Sequence, residues 1–173
     1  STAIKKYGSA SMYFDGTGDY LTIPTNPGFV FGTGDFTIEA WFYIVSGAVG
    51  AIFDTRSGST GITPLLYFSS STLRYYMNGG DQITSGTTLS AATWYHVALV
   101  RNSGSSKMYL NGAQTGSTYA DTNNFTLTNT INIGRGNDGN NVLNGYIDEL
   151  RITKGFARYT ANFSVPTVGF IGQ

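Results

Sequence analysis

Cysteine is absent from the 173 residues, which excludes disulfide frameworks, thiolate metal sites and cysteine nucleophiles together. Charge is scarce as well. Asp, Glu, Lys and Arg make up 12% of the chain, about half the usual share of roughly 25%. Ten basic residues balance ten acidic ones, and the longest basic run is the pair Lys5-Lys6, so there is no electrostatic footprint for phosphate backbones or anionic lipids. Nucleic acid is therefore not an expected partner. No apolar run approaches the roughly 18 residues of a membrane helix, and membrane insertion is not expected either.

Glycine, with 23 residues, is at about twice its usual share of roughly 7%, and aromatics reach 14%. This composition favours turns and sheets over helices. The length fits one domain, residues 1–173, able to bury a core without metal or disulfide support, and expected to be excised from a larger protein. A surface rich in Ser, Thr, Asn and Gly with few charges is common outside cells and on virions, which sets the expected location.

The chain is organised around the stretch from Trp94 to Gly112. Two strands there carry nearly all the large side chains, joined by a small-residue turn at Asn102 to Ser106 and closed by Asn111-Gly112, a dipeptide suited to a tight hairpin turn. Upstream, strands are expected at Ser9–Phe14 and Asp19–Ile23. The longest alternating run, Asp35 to Val45, sets Phe36, Ile38, Ala40, Phe42 and Ile44 on one face and Thr37, Glu39, Trp41, Tyr43 and Val45 on the other. Large apolar groups on both faces mark a central strand. Short strands follow at Gly50–Thr55, Pro64–Ser69, Leu73–Asn78, Gln82–Leu89, Ala113–Thr118, Thr130–Gly134 and Leu143–Thr153, with one helical turn around Phe156 to Tyr159. This spacing predicts an all-β antiparallel sandwich.

Six motifs occur in an order that resembles the laminin-G-like or concanavalin-A-like jelly rolls, a superfamily that includes pentraxins. They are Phe14-Asp-Gly-Thr-Gly-Asp-Tyr-Leu21, Gly32-Thr-Gly-Asp-Phe-Thr-Ile-Glu-Ala-Trp41, Trp94-Tyr-His-Val-Ala-Leu-Val-Arg101, Met108-Tyr-Leu-Asn-Gly112, Ile133-Gly134 and Gly145-Tyr-Ile-Asp-Glu-Leu-Arg-Ile152. The ending from Lys154 to Phe163 looks most like copies in bacteriophage tail or fibre proteins and bacterial surface proteins. The resemblance implies a two-sheet antiparallel jelly-roll sandwich. It also implies lectin-like carbohydrate binding, or else a structural, oligomerising role in a fibre, with homo-oligomerisation arising through the parent protein.

Glycan hydrolases share this architecture, yet a glycosidase needs two carboxylates flanking the scissile bond at roughly 5 to 9.5 Å. The only glutamates, Glu39 and Glu149, lack the Glu-x-Asp-x-Glu pattern of jelly-roll glucanases, and adjacent Asp148 and Glu149 in a strand point to opposite faces. Catalysis is not expected, although a glycan-active enzyme remains the alternative reading. The single histidine, His96, has no serine elbow or cysteine beside it and is read as structural, hydrogen-bonded beneath a loop. Gly134-Arg-Gly-Asn-Asp-Gly139 spells a dinucleotide fingerprint but leads into a turn and a strand rather than a helix, so it is rejected. Asn124-Phe-Thr126 and Asn162-Phe-Ser164 match the glycosylation sequon by chance.

The same loop supplies several oxygens and suits a hard cation such as calcium. By resemblance to pentraxins, Asp138 and Asn141 fall where ligands would lie. Gly136 stands in place of an expected glutamate, and Ser57, Ser59 and Thr60 occupy the loop of an expected Asp-Asn pair, which implies weak binding at most. A second candidate ion position is formed by Asp15, Asp19 and Asp148, with Asp35 nearby in the motifs. For a glycan or cell-surface ligand, the aromatics Tyr67, Tyr75, Tyr76, Tyr95, Tyr109 and Tyr119 are interspersed with polar residues. Tyr75 and Tyr119, with Arg135, Asn137 and Asn140, are the expected contacts.

Overall fold

The structure, a computed structural model, describes residues 1–58 and 60–170. Two antiparallel sheets of six strands each face one another across a single apolar core. The strands are β1 (Met12–Asp15), β2 (Leu21–Ile23), β3 (Phe36–Ser46), β4 (Val49–Asp54), β5 (Leu65–Ser69), β6 (Thr72–Met77), β7 (Gly80–Thr88), β8 (Trp94–Asn102), β9 (Ser105–Leu110), β10 (Ala113–Ala120), β11 (Ile131–Ile133) and β12 (Asn144–Lys154). Sheet I runs β1-β12-β3-β8-β9-β10 and sheet II runs β2-β11-β4-β5-β6-β7. This is the two-sheet jelly-roll sandwich that the motifs imply.

Alternation in β3 works as expected. Phe36, Ile38, Ala40, Phe42 and Ile44 all lie in the core, and β3 is central, flanked by β12 and β8. The organising hairpin is tighter than its sequence suggests, because pairing runs to Asn102 and Ser105 and leaves only Ser103-Gly104, both at positive φ, in the turn. The next turn, Asn111-Gly112, uses the same geometry at φ 50° and 81°.

The helical turn expected at Phe156–Tyr159 does not form. Thr37 Oγ1 donates to Phe156 O at 3.1 Å and accepts Arg158 N at 2.9 Å, so the backbone is drawn out along the outer face of sheet I. Among the described residues the one helical turn is Pro27–Phe29, where Asn26 accepts the Gly28 amide at 2.7 Å. Strand β1 begins at Met12 rather than Ser9, because Ser11 is tied to the first residues through Ser1 O.

Residues 155–170 thus form a strap over sheet I. Beneath it lies Glu39, with no solvent exposure, taking Arg151 Nε at 2.9 Å and Tyr159 Oη at 2.8 Å. His96 Nε2 stands 3.2 Å from the same carboxylate, at ion-pair distance but outside hydrogen-bond geometry, and Phe163 and Phe170 pack edge-on against its ring. The histidine is therefore buried and structural in position. Burial alone would raise the Glu39 pKa; the neighbouring His96, Tyr159 and Arg151 outweigh it and hold the carboxyl below its ordinary value.

Asp148 and Glu149 depart from simple alternation. A bulge between Asp148 and Arg151, with Glu149 at φ 51°, breaks the register. Asp148 accepts the Lys6 and Tyr7 amides while Glu149 accepts the Phe170 amide, so both carboxylates tether the terminal segments.

A carboxyl whose pKa is depressed on folding contributes stability above its unfolded pKa and loses that contribution as pH falls through its folded pKa. Urea unfolding should therefore show stability falling once pH drops below the ordinary carboxylate range. Glu39→Gln should cost about 3 kcal/mol at neutral pH, by leaving Arg151 without its anion, and should flatten the acid dependence. An unchanged pH profile in the variant would contradict this role.

Candidate functional site

Residues 134–141 form a loop at one rim of sheet II that is closed by its own backbone: Gly136 N donates to Asn140 O at 2.8 Å and Leu143 N to Gly134 O at 2.8 Å. Asn141 O anchors the loop to β4 by accepting Ala51 N at 2.8 Å. Asn137 fixes it further, donating from its amide nitrogen to Asp54 O at 3.1 Å and Thr130 O at 3.0 Å. Both bonds of this nitrogen, on a residue expected at the ligand, thus run within the chain. Asn140 is exposed, and its backbone amide donates to Asp138 Oδ1 at 3.0 Å.

The residue that decides the chemistry of this rim is Arg56. Its guanidinium is buried, pairs with both oxygens of the equally buried Asp54 at 2.8 to 3.2 Å, and approaches Asp138 Oδ2 at 3.7 Å. Burial would lower its pKa, but Asp54 and Asp138 more than compensate and raise it. The guanidinium thus places a positive charge beside two carboxylates. The sequence signal for it was Asp54-Thr-Arg56, an i, i+2 pair of opposite charges entering the rim. Ser57 and Thr60 lie beside it on the surface, and Ser59 falls outside the described residues.

The carboxylates of the two expected calcium positions all accept hydrogen bonds within the chain. At the loop, Asp138 accepts the Asn140 amide and lies 3.7 Å from Arg56, and the backbone carbonyl of Asn141 accepts Ala51 N. At the other position, Asp15 accepts the Thr17 amide, Asp19 accepts the Asp15 amide, and Asp148 accepts Lys6 and Tyr7. Asp15 pairs with Asn144, so Asp148 lies four residues further along β12 and does not join it. Asp35 is engaged with Ser103 N at 2.8 Å. Among the described residues, no group of three or more His, Cys, Asp or Glu side chains could hold a metal ion.

The aromatic candidates divide by the alternation of β6. Leu73, Tyr75 and Met77 point inward, while Thr72, Arg74 and Tyr76 point outward. Tyr75, expected at the ligand, is fully buried with its hydroxyl donating to Asp121 Oδ2 at 3.2 Å; burial, then the Asp121 charge, raises its pKa well above the ordinary value. Tyr119 is half-buried and packs edge-on against it, with centroids 6.3 Å apart. Tyr95 and Tyr109 are buried as well. Arg135 stacks on Tyr20, 3.5 Å from the ring centroid.

What remains outward on sheet II is a polar-aromatic patch. Tyr67 and Tyr76 meet at 88° with centroids 6.4 Å apart. Tyr67 Oη donates to Asp81 Oδ1 at 2.8 Å, and Arg74 pairs with Asp81 at 2.6 Å. Burial and the Asp81 charge push the Tyr67 pKa up to about 12. The Arg56 guanidinium lies 5.0 Å over the Tyr76 ring and so joins this patch to the Asp138 loop. Its charges are matched internally, Arg74 with Asp81 and Arg56 with Asp54.

This fold agrees with what the chain is similar to. The family described as Laminin_G_3, of the concanavalin A-like lectin/glucanases superfamily, matches residues 15–156, and the chain belongs to it. Among solved structures, it is similar to a candidate carbohydrate-binding protein from Bacteroides ovatus (TM-score 0.68, 20% identity), covering 86% of this chain and 44% of that one. It thus spans less than half of that protein's length. It is also similar to the heptameric SAP-like pentraxin of Limulus polyphemus (TM-score 0.60, 18% identity; 81% and 73% covered). A third likeness is to domain 4 of an extracellular arabinanase from Geobacillus stearothermophilus, in complex with arabinotriose (TM-score 0.62, 17% identity; 84% and 70% covered). No curated protein matches the chain.

Removing the internal cation should be costly. Arg56→Ala leaves Asp54 buried and unpaired, and should lower stability by about 3 to 5 kcal/mol in urea unfolding. A loss below about 1 kcal/mol, the range of surface ion pairs, would contradict the buried geometry.

Proposed function

We propose that the chain is a non-catalytic carbohydrate-binding module, displayed on an extracellular or virion-surface protein, that recognises a neutral glycan on a cell surface without calcium. The observation that carries this is the outward patch of sheet II, where Tyr67 and Tyr76 offer ring faces beside hydrogen-bonding groups whose charges are already paired. Aromatic faces suit the apolar faces of sugar rings, and the flanking Asp81, Arg74 and Asn140 suit hydroxyls. A paired surface does not favour an anionic ligand by net charge.

The non-catalytic part of the reading rests on the carboxylates. Asp81 is held by Arg74 and Tyr67, Asp54 by Arg56, and Glu39 lies under the strap, so acid and base groups are not arrayed across a cleft. The arabinotriose complex of a similar domain, and the similarity to a candidate carbohydrate-binding protein, support the choice of a sugar.

A glycan array run in EDTA tests the proposal. Saturable binding to neutral glycans is expected, with Tyr76→Ala weakening it at least about tenfold, equivalent to about 1.4 kcal/mol, while the thermal midpoint stays within the range of a surface substitution. Binding that requires added calcium, or silence across the array at high protein concentration, would overturn it. Millimolar calcium should also leave the thermal midpoint of the wild type unchanged, since a bound ion would stabilise by mass action.

A further inference from the structure

We propose a second glycan site on the opposite face of the sandwich: a row of four aromatic rings across sheet I that takes an extended, neutral polysaccharide chain running perpendicular to the strands. The row comes from strand register. Tyr13 pairs with Tyr146, Tyr146 with Tyr43, and Tyr43 with Trp94, so one rung of the ladder carries an aromatic on each of β1, β12, β3 and β8. Ring centroids are separated by 4.9, 5.7 and 5.5 Å in that order, with neighbouring planes at 36°, 76° and 56°. At about 4.8 Å per strand the row is roughly 14 Å long.

The rest of this face is treated differently by the fold. On the next rung, Trp41 (4% exposed), His96 (0%) and Asp148 (8%) are buried beneath the terminal segments, with Tyr7 edge-on to Trp41 at 5.9 Å and Lys6 Nζ 3.9 Å from its ring centroid. The cover stops there. Tyr13 is 45% exposed, and Tyr43, Trp94 and Tyr146 are all partly exposed. The two terminal segments therefore bury one rung and leave the adjacent aromatic rung open along their edge.

The shape and charge of the row select the ligand. It is one ring wide, bounded on one side by the terminal segments and on the other by the strand ends at Ser46 and Asn144, which bond to each other at 2.9 Å. Four part-buried rings fall short of the ~800 Å² per partner of a stable protein interface. The rung itself carries no ionisable acid or base near neutral pH, and its flanks carry opposite charges, Lys6 on the Trp41 side and Asp15 beside Asn144, so net charge favours neither anion nor cation. A linear chain with apolar ring faces matches a line of tyrosine and tryptophan rings spaced by strands, each sugar seated near one ring.

This site does not depend on the Tyr67–Tyr76 patch, which lies on the other sheet. With both, one module could hold two chain segments, raising avidity without new contacts. Affinity electrophoresis in gels containing hydroxyethyl cellulose, linear arabinan or mannan, with alginate as the polyanion control, tests it using Tyr13→Ser, the double variant Tyr43→Ala/Trp94→Ala, and Tyr76→Ala. Retardation by at least one neutral polymer is expected. Tyr13→Ser, altering the most exposed ring, should weaken it about threefold or more, the double variant at least about tenfold, and the Tyr76→Ala protein should keep the part lost in the double variant. Because the double variant could misfold, wild-type tryptophan emission is read alongside, and quenching or a shift by the same polymer is expected because Trp41 is covered and Trp94 is not. Row variants that bind like wild type, with no emission change, would overturn the proposal while leaving the Tyr76 patch to stand or fall on its own variant. Concentration-dependent dimers abolished by Tyr13→Ser would overturn it in favour of a protein contact.

Discussion

The buried carboxylate of Glu39 is the constraint on which the arrangement of sheet I depends. It sits on the central strand and gathers Arg151 from β12, His96 from β8 and Tyr159 from the strap into one cluster. An anion in that position is tolerated only when its partners are fixed, so the strap cannot leave without exposing or orphaning charge. Covering this cluster with residues from both ends of the chain closes one part of the sheet's outer face. The limit of that cover decides which aromatics meet solvent.

Sheet II solves its own electrostatic problem in a different currency. Asp54 and Asp138 converge at the rim, a placement that invites a cation, and Arg56 occupies it with a guanidinium anchored to the backbone. The loop that follows Gly134 is then free to close on its own amides and on Asn137. The outcome is a rim in which one guanidinium faces two carboxylates, next to the Tyr67–Tyr76 patch. A guanidinium also stacks on an aromatic where a metal ion would not, which ties Tyr76 to the rim.

Much of the architecture was legible in the residues. Alternation along Asp35 to Val45 named both faces of β3 correctly, and the Asn-Gly and Ser-Gly turns marked the hairpins, because these signals are local. Tyr75 was misplaced because a run of adjacent tyrosines, Tyr75-Tyr76, splits between core and surface by parity, and one residue of slip reverses the assignment. The extended strap at Phe156–Tyr159 was hidden since its partners, Thr37 and Glu39, lie more than a hundred residues away in sequence. The same holds for Arg56, whose acidic neighbour Asp138 arrives from a distant loop, and for the aromatic rung, which exists only through the pairing of four strands. Long-range register, rather than propensity, set the limit.

We propose that this laminin-G-like sandwich reads neutral sugar, without calcium, through a face on which Arg74 is paired with Asp81 and Arg56 with Asp54. The most direct measurement is a pair of amide chemical-shift titrations on labelled protein, one with a neutral oligosaccharide that binds and one with calcium chloride. Sugar-induced shifts centred on Tyr67, Arg74 and Tyr76 are expected, and no specific shifts with calcium. Calcium-induced shifts clustered at Asp138 and Asn141, or at Asp15 and Asp19, with sugar effects that appear only when calcium is present, would contradict it.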